Sequence, residues 1–92
     1  MNAKRKGSRN ERRTIALLSA QGYACTKSGG SLGVFDVIGV GASDIILSQV
    51  KTNRWPGSAE MKAIAKLAAP PSCRKIIHRW LDGRAAPDVR EI

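Results

Sequence analysis

Glu11, Asp36, Gln49 and Lys51 are the side chains in this sequence best suited to shared chemistry. Two carboxylates and an amide supply oxygen ligands of the kind a hard divalent cation takes. An ammonium group beside them would stabilise negative charge as it develops. Their spacing is compatible with convergence. Val34 to Val40 (VFDVIGV) reads as a buried strand and Ile45 to Lys51 (IILSQVK) as a second, with Gly41-Ala42-Ser43-Asp44 between them as turn chemistry. In an antiparallel hairpin closed by those four residues, Val40 pairs with Ile45, and counting back sets Asp36 opposite Gln49. Opposed side chains on one face have Cβ atoms about 4.5–5.5 Å apart. Lys51, two residues beyond Gln49, keeps to the same face.

Glu11 would come from a helix. Ser8 and Glu11 form a Ser-x-x-Glu capping box, so the helix is expected to begin at Ser8 and run to about Gln21, with Gly22 as its stop. At 100° per residue, Ile15, Leu18 and Gly22 all lie within about 40° of Glu11, which therefore projects along the apolar stripe that faces the sheet. A carboxylate aimed at a packed face requires a partner. A shared cation would be one, which favours a site role for Glu11 over the cap alone, and one residue can serve both. Asp36 interrupts an apolar strand where strand propensity disfavours it. Asp44, in the turn, reads as a turn residue.

The remaining elements follow from local signals. Residues 1–7, with Lys4, Arg5 and Lys6, read as a flexible basic arm, and residues 8–92 as a single domain. Gly22 to Ser28 is expected as the first strand, and Gly29 to Gly33 as a flexible loop. Ser58 is expected to cap a second helix from Ala59 to about Ala69, which Pro70-Pro71 ends. Cys73 to Leu81 and Asp88 to Ile92 read as two further strands. The order is helix, three strands, helix, two strands: an α/β arrangement.

The chain has 92 residues, with 16 Lys and Arg against 7 Asp and Glu, for a net charge of +9. In a small domain that surplus points to nucleic acid before an anionic membrane. Aromatic residues are 4% of the total, and no apolar run approaches the roughly 20 residues of a membrane-spanning helix. The basic N-terminus lacks a signal peptide's apolar run, so a cytoplasmic location is expected; the compactness would suit a virus- or prophage-encoded protein acting in the host cytoplasm. Cys25 and Cys73 are too few and too far apart for a zinc site or disulfide framework. Trp55 is read as core, with base stacking or a subunit interface as alternatives, and no pattern marks His78 as catalytic.

Lys6-Gly7-Ser8-Arg9-Asn10-Glu11-Arg12, Gly22-Tyr23-Ala24, Ser28-Gly29-Gly30-Ser31, Asp36-Val37-Ile38 and Gln49-Val50-Lys51 occur in that order. Together they resemble the PD-(D/E)xK nuclease superfamily, and within it the archaeal and phage Holliday junction resolvases. The resemblance spans Lys6 to Lys51 and departs from the pattern twice. Phe35 stands where the signature has proline, and Gln49 where it usually has an acid.

The resemblance implies a restriction-endonuclease-like core: a mixed sheet of about five strands flanked by two helices, in the order αβββαββ. It implies Mg²⁺, with Mn²⁺ as a substitute, held by Glu11, Asp36, Gln49 and the Val50 carbonyl. Lys51 would act on the scissile phosphate and Ser31 would contact the phosphate near the cut. Lys4, Arg5, Lys6, Arg9, Arg12, Arg13, Lys27 and Arg54 are the candidates for tracking the DNA backbone. The expected activity is structure-selective DNA cleavage by a homodimer that resolves four-way junctions, on branched or duplex DNA, with no small-molecule cofactor or membrane. The alternatives are a repair, replication or restriction-like nuclease on other DNA structures, and a non-catalytic DNA-binding protein with a degenerate site.

Overall fold

The computed structural model describes residues 3–28 and 33–92, with side chains from Gly7 onward. Helix α1 (Ala3–Ala20) is followed by strands β1 (Ala24–Lys27), β2 (Val37–Val40) and β3 (Ile45–Thr52). Helix α2 (Ser58–Lys66) then leads to β4 (Cys73–Trp80) and β5 (Asp88–Glu91). The strands form a single five-stranded sheet in sequence order. It is mixed: β3 and β4 run parallel, joined by the α2 crossover, and every other neighbouring pair is antiparallel. The expected αβββαββ architecture is the observed one.

Two helix starts differ from expectation. Helix α1 begins at Ala3, so Ser8 lies in its interior and the stretch expected as a basic arm is helical from Ala3 onward. Ala, Lys and Arg are good helix formers, and their propensity extends the helix past the capping signal. Helix α2 takes Gly57 as its N-cap, without a side-chain cap, so Ser58 is its first residue. The end of α1 is as read. Gly22 has a φ of 98°, its N–H donates to the Ser19 carbonyl and the Tyr23 N–H to the Leu18 carbonyl, the two bonds of a Schellman motif.

Alternation along the strands gives the sheet two apolar faces. Under α1, Leu18 packs with Val37, Ile46 and Ile76; under α2, Ile64 packs with Phe35, Leu47 and Ile77. The α1 layer is also fixed by polar groups. Asn10 Nδ2 donates to Thr52 Oγ1 (2.8 Å), Trp80 Nε1 to Thr14 Oγ1 (2.8 Å), and Ser48 Oγ lies 2.6 Å from His78 Nδ1. Asn10, Thr14, Ser48 and His78 are all buried. Leaving one member of such a pair unsatisfied costs about 1–3 kcal/mol, so the network holds α1 in one register over β3 and β4. That register sets where Glu11 sits.

The helix on the opposite face is held at its C-terminal end. Lys75 of β4 extends Nζ to the carbonyls of Ile64 (2.8 Å), Ala65 (3.1 Å) and Leu67 (2.5 Å), placing a cation where helical carbonyls lack partners. The β2–β3 turn is clamped as well. Asp44 accepts from Tyr23 OH (2.9 Å) and from Arg74 Nη1 (3.2 Å), and Arg74 also holds Glu91 through two nitrogens. A Cβ on Gly41 would come within 2.7 Å of Tyr23 Cε1, so this turn requires glycine.

Candidate active site

The hairpin register begins as expected, with Val40 paired to Ile45, and continues to Val37 opposite Ser48. It then changes. The Asp36 N–H also donates to the Ser48 carbonyl (2.8 Å), so two residues of the β2 side face one residue of β3, as in a β-bulge. Asp36 therefore does not stand opposite Gln49, and β2 begins at Val37 rather than Val34. The bulge turns the Asp36 carboxylate toward β3, where Oδ2 accepts the Val50 N–H at 2.8 Å. A side chain thus satisfies an amide that lies beyond the last paired residue of β3 on that edge. Because N–H and C=O of one strand residue point to the same side, the Val50 carbonyl is directed toward the Asp36 side too.

Asp36 is the electrostatic centre of the group. Burial pushes its carboxyl above the ordinary range, opposed by the Val50 N–H, and the negative charge of Glu11 raises it further. Lys51 acts on it in the opposite sense, and Glu60 adds to the rise. Glu11 comes from the α1 side, half-buried, with Lys27 Nζ 3.6 Å from its Oε1. Gln49 and Lys51 share the α2 face with Leu47, as the period of two requires.

Glu60, in the first turn of α2, went unmarked in the sequence. It accepts from Gln49 Nε2 (3.2 Å) and from Lys51 Nζ (3.3 Å to each oxygen). An acid soon after a strand that carries a lysine is too common a pattern to single out. Its reach onto β3 exists only through the crossover.

Gln49 is 5% exposed, and its Oε1 has no hydrogen-bond partner. The amide orientation is set by the bond to Glu60, since the flipped group would set two acceptors against each other. A buried oxygen without a donor, on an amide bonded to Glu60 and one residue before the Val50 that holds Asp36, adds to oxygen donors of the kind that suit Mg²⁺ or Mn²⁺. Among the described residues, no three His, Cys, Asp or Glu side chains are already gathered as a metal cluster.

The expected basic residues divide. Arg9, Arg12, Lys27 and Arg54 are exposed. Arg13 is occupied within the fold: it lies 4.0 Å over the Trp80 ring and donates to Asn10 Oδ1 and the Arg84 carbonyl. Ser31 and the side chains of Lys4, Arg5 and Lys6 lie outside the described residues. Trp55 packs against the α2 layer, and the guanidinium groups of Arg79 (4.4 Å) and Arg90 (4.5 Å) both lie over its ring. No helix among the described residues is long and apolar enough to cross a membrane.

These features define a mixed α/β sheet with a helix on each face and a polar site where β2 gives way beside β3. The chain superposes on Hjc, a Holliday junction resolvase from the archaeal hyperthermophile Archaeoglobus fulgidus, with a TM-score of 0.76 at 20% sequence identity. The match covers 94% of this chain and 72% of that one. The resemblance to archaeal resolvases carried by the sequence motifs thus extends to the fold. No protein-family pattern and no curated protein matches the chain.

Proposed function

We propose that this chain is a Mg²⁺-dependent endodeoxyribonuclease that hydrolyses phosphodiesters in branched DNA, a resolvase of four-way junctions that works as a homodimer. The observation that carries the reading is the partnerless, buried Gln49 Oε1 on β3, one residue before Val50, whose N–H holds the Asp36 carboxylate, with the Lys51 ammonium on the same strand. The fold it shares with an archaeal resolvase supports the choice of substrate class.

Asp36, Gln49 Oε1, the Val50 carbonyl and Glu11 would hold the cation, which when bound supplies an acidified water and a polarised phosphate. Lys51 sets its positive charge where the phosphorane becomes negative. The Val50 N–H fixes the direction of the Asp36 carboxylate, so its orientation is set before substrate arrives. Exposed Arg9, Arg12, Lys27 and Arg54 neutralise backbone phosphates. Two equivalent sites are needed for symmetric cuts across a four-way junction, and a two-fold dimer supplies them.

A second reading has one observation in its favour. Gln49 stands in the place of an acid, and Lys51 is ion-paired to Glu60, as in a DNA-binding protein whose site has decayed. Incubating the protein with labelled four-way junctions and matched linear duplexes, in Mg²⁺, Mn²⁺ or EDTA, separates the readings. Paired nicks confined to the junction and dependent on metal are the expected result. Comparable cutting of linear DNA would point to a nuclease for other structures, and tight binding without metal-dependent cutting to the non-catalytic protein.

A further inference from the structure

We propose that Glu60 is the displaced acid of this site: its carboxylate joins Asp36 and the Gln49 amide oxygen in holding the divalent cation, with the negative charge that position 49 lacks delivered by α2 instead of β3. The assignment rests on the nuclease reading and specifies its metal centre.

Charge is the first argument. Between Gln49 and Lys51, β3 contributes a cation and no anion, which leaves Asp36 as the site's innermost negative group. A hard dication with a single carboxylate is weakly held, since affinity follows ligand charge. Glu11, the carboxylate brought by α1, is shared with Lys27. Glu60 hydrogen-bonds both Gln49 and Lys51.

Gln49 supplies the second argument. Its Nε2 donates to Glu60, so the same amide that meets the acid also presents the orphaned Oε1. Carboxylate and amide oxygen are therefore neighbours before any ligand arrives. Together they offer what a single acid at position 49 would offer, divided over two elements.

The exchange has a consequence for Lys51. Glu60 is 45% exposed and near the start of α2, so side-chain torsions alone can swing its carboxylate from Lys51 to a cation. Once it does, the ammonium loses its internal counter-ion and is released to the phosphate. Cation binding and exposure of the catalytic lysine become one event.

The test is calorimetric titration of Mn²⁺ into the full chain, the Glu60→Gln and Gln49→Glu variants, and the double variant Gln49→Glu/Glu60→Gln, with junction cleavage measured in parallel and melting curves confirming the fold. Outer carboxylates alone are commonly worth roughly 10–100-fold in metal affinity, so Glu60→Gln should weaken Mn²⁺ binding by about tenfold or more. The double variant, with the acid returned to β3, should recover it. Unchanged Mn²⁺ affinity in Glu60→Gln, with cleavage intact, overturns the assignment while the nuclease reading stands. A loss that the double variant does not repair also overturns it. A parent chain that neither binds Mn²⁺ nor cuts junctions removes both.

Discussion

The Asp36 carboxylate accepts the Val50 amide hydrogen at 2.8 Å, so the edge of β3 is completed at the site by a side chain. Orientation and charge can therefore be separated by mutation. In Asp36→Asn the amide oxygen can still accept from Val50, and the fold should persist. The charge is gone, and cleavage should fall by roughly a hundredfold or more while junction affinity in a gel-shift assay holds or improves. Cleavage that survives this substitution would remove Asp36 from the mechanism.

Lys51 tests transition-state stabilisation separately. Lys51→Met should lower the single-turnover cleavage rate by roughly 10²–10³-fold, with a much smaller change in DNA affinity. Equal losses in rate and affinity would mean that Lys51 binds DNA generally, without a special role at the cut.

Salt dependence measures how much of the basic surface meets DNA. If about six phosphates are neutralised, the logarithm of the association constant should fall with the logarithm of salt concentration at a slope of roughly −5. Arg13 is held by Trp80, Asn10 and Arg84, so Arg13→Ala should lower the melting temperature while leaving that slope nearly unchanged. A slope near zero would set aside backbone tracking altogether.

His78 predicts an acid sensitivity unrelated to the site. It is buried beneath α1 against Ser48, and burial lowers its pKa from 6.5 to about 4. Between those values the unfolded chain binds a proton that the folded chain refuses. This contribution is fully present above pH 6.5 and is lost as pH falls toward 4, up to about 3 kcal/mol in all. Urea unfolding at pH 7.5, 5.5 and 4.5 should show the decline, and His78→Asn should flatten it. The same slope in both proteins would assign the acid sensitivity elsewhere.

Legibility in the sequence followed the range of the forces involved. Gly41 to Asp44 is local turn chemistry, and it gave the hairpin register from Val40 and Ile45 onward. The glycine stop at Gly22 and the order of elements were legible for the same reason. The bulge at Asp36 was not, because a bulge residue near the helical region needs no glycine and carries no compositional mark. Ser8 misled because a capping box is a preference worth about 1 kcal/mol, which a run of good helix formers can outweigh. Within the site, Gln49 and Lys51 shared a face as their spacing required. The partner they meet, Glu60, depends on how α2 crosses the sheet, a tertiary fact with no local signature.

The Lys75 ammonium, seated among the terminal carbonyls of α2, fixes the end of that helix opposite Glu60. Nine residues make a stiff, short lever with Glu60 near one tip and this anchor at the other. Loosening the anchor would let the whole rod slide or tilt, and the acid would lose its aim without any change in its own surroundings. The reach of the carboxylate is governed from the rear, by a strand residue that never touches it.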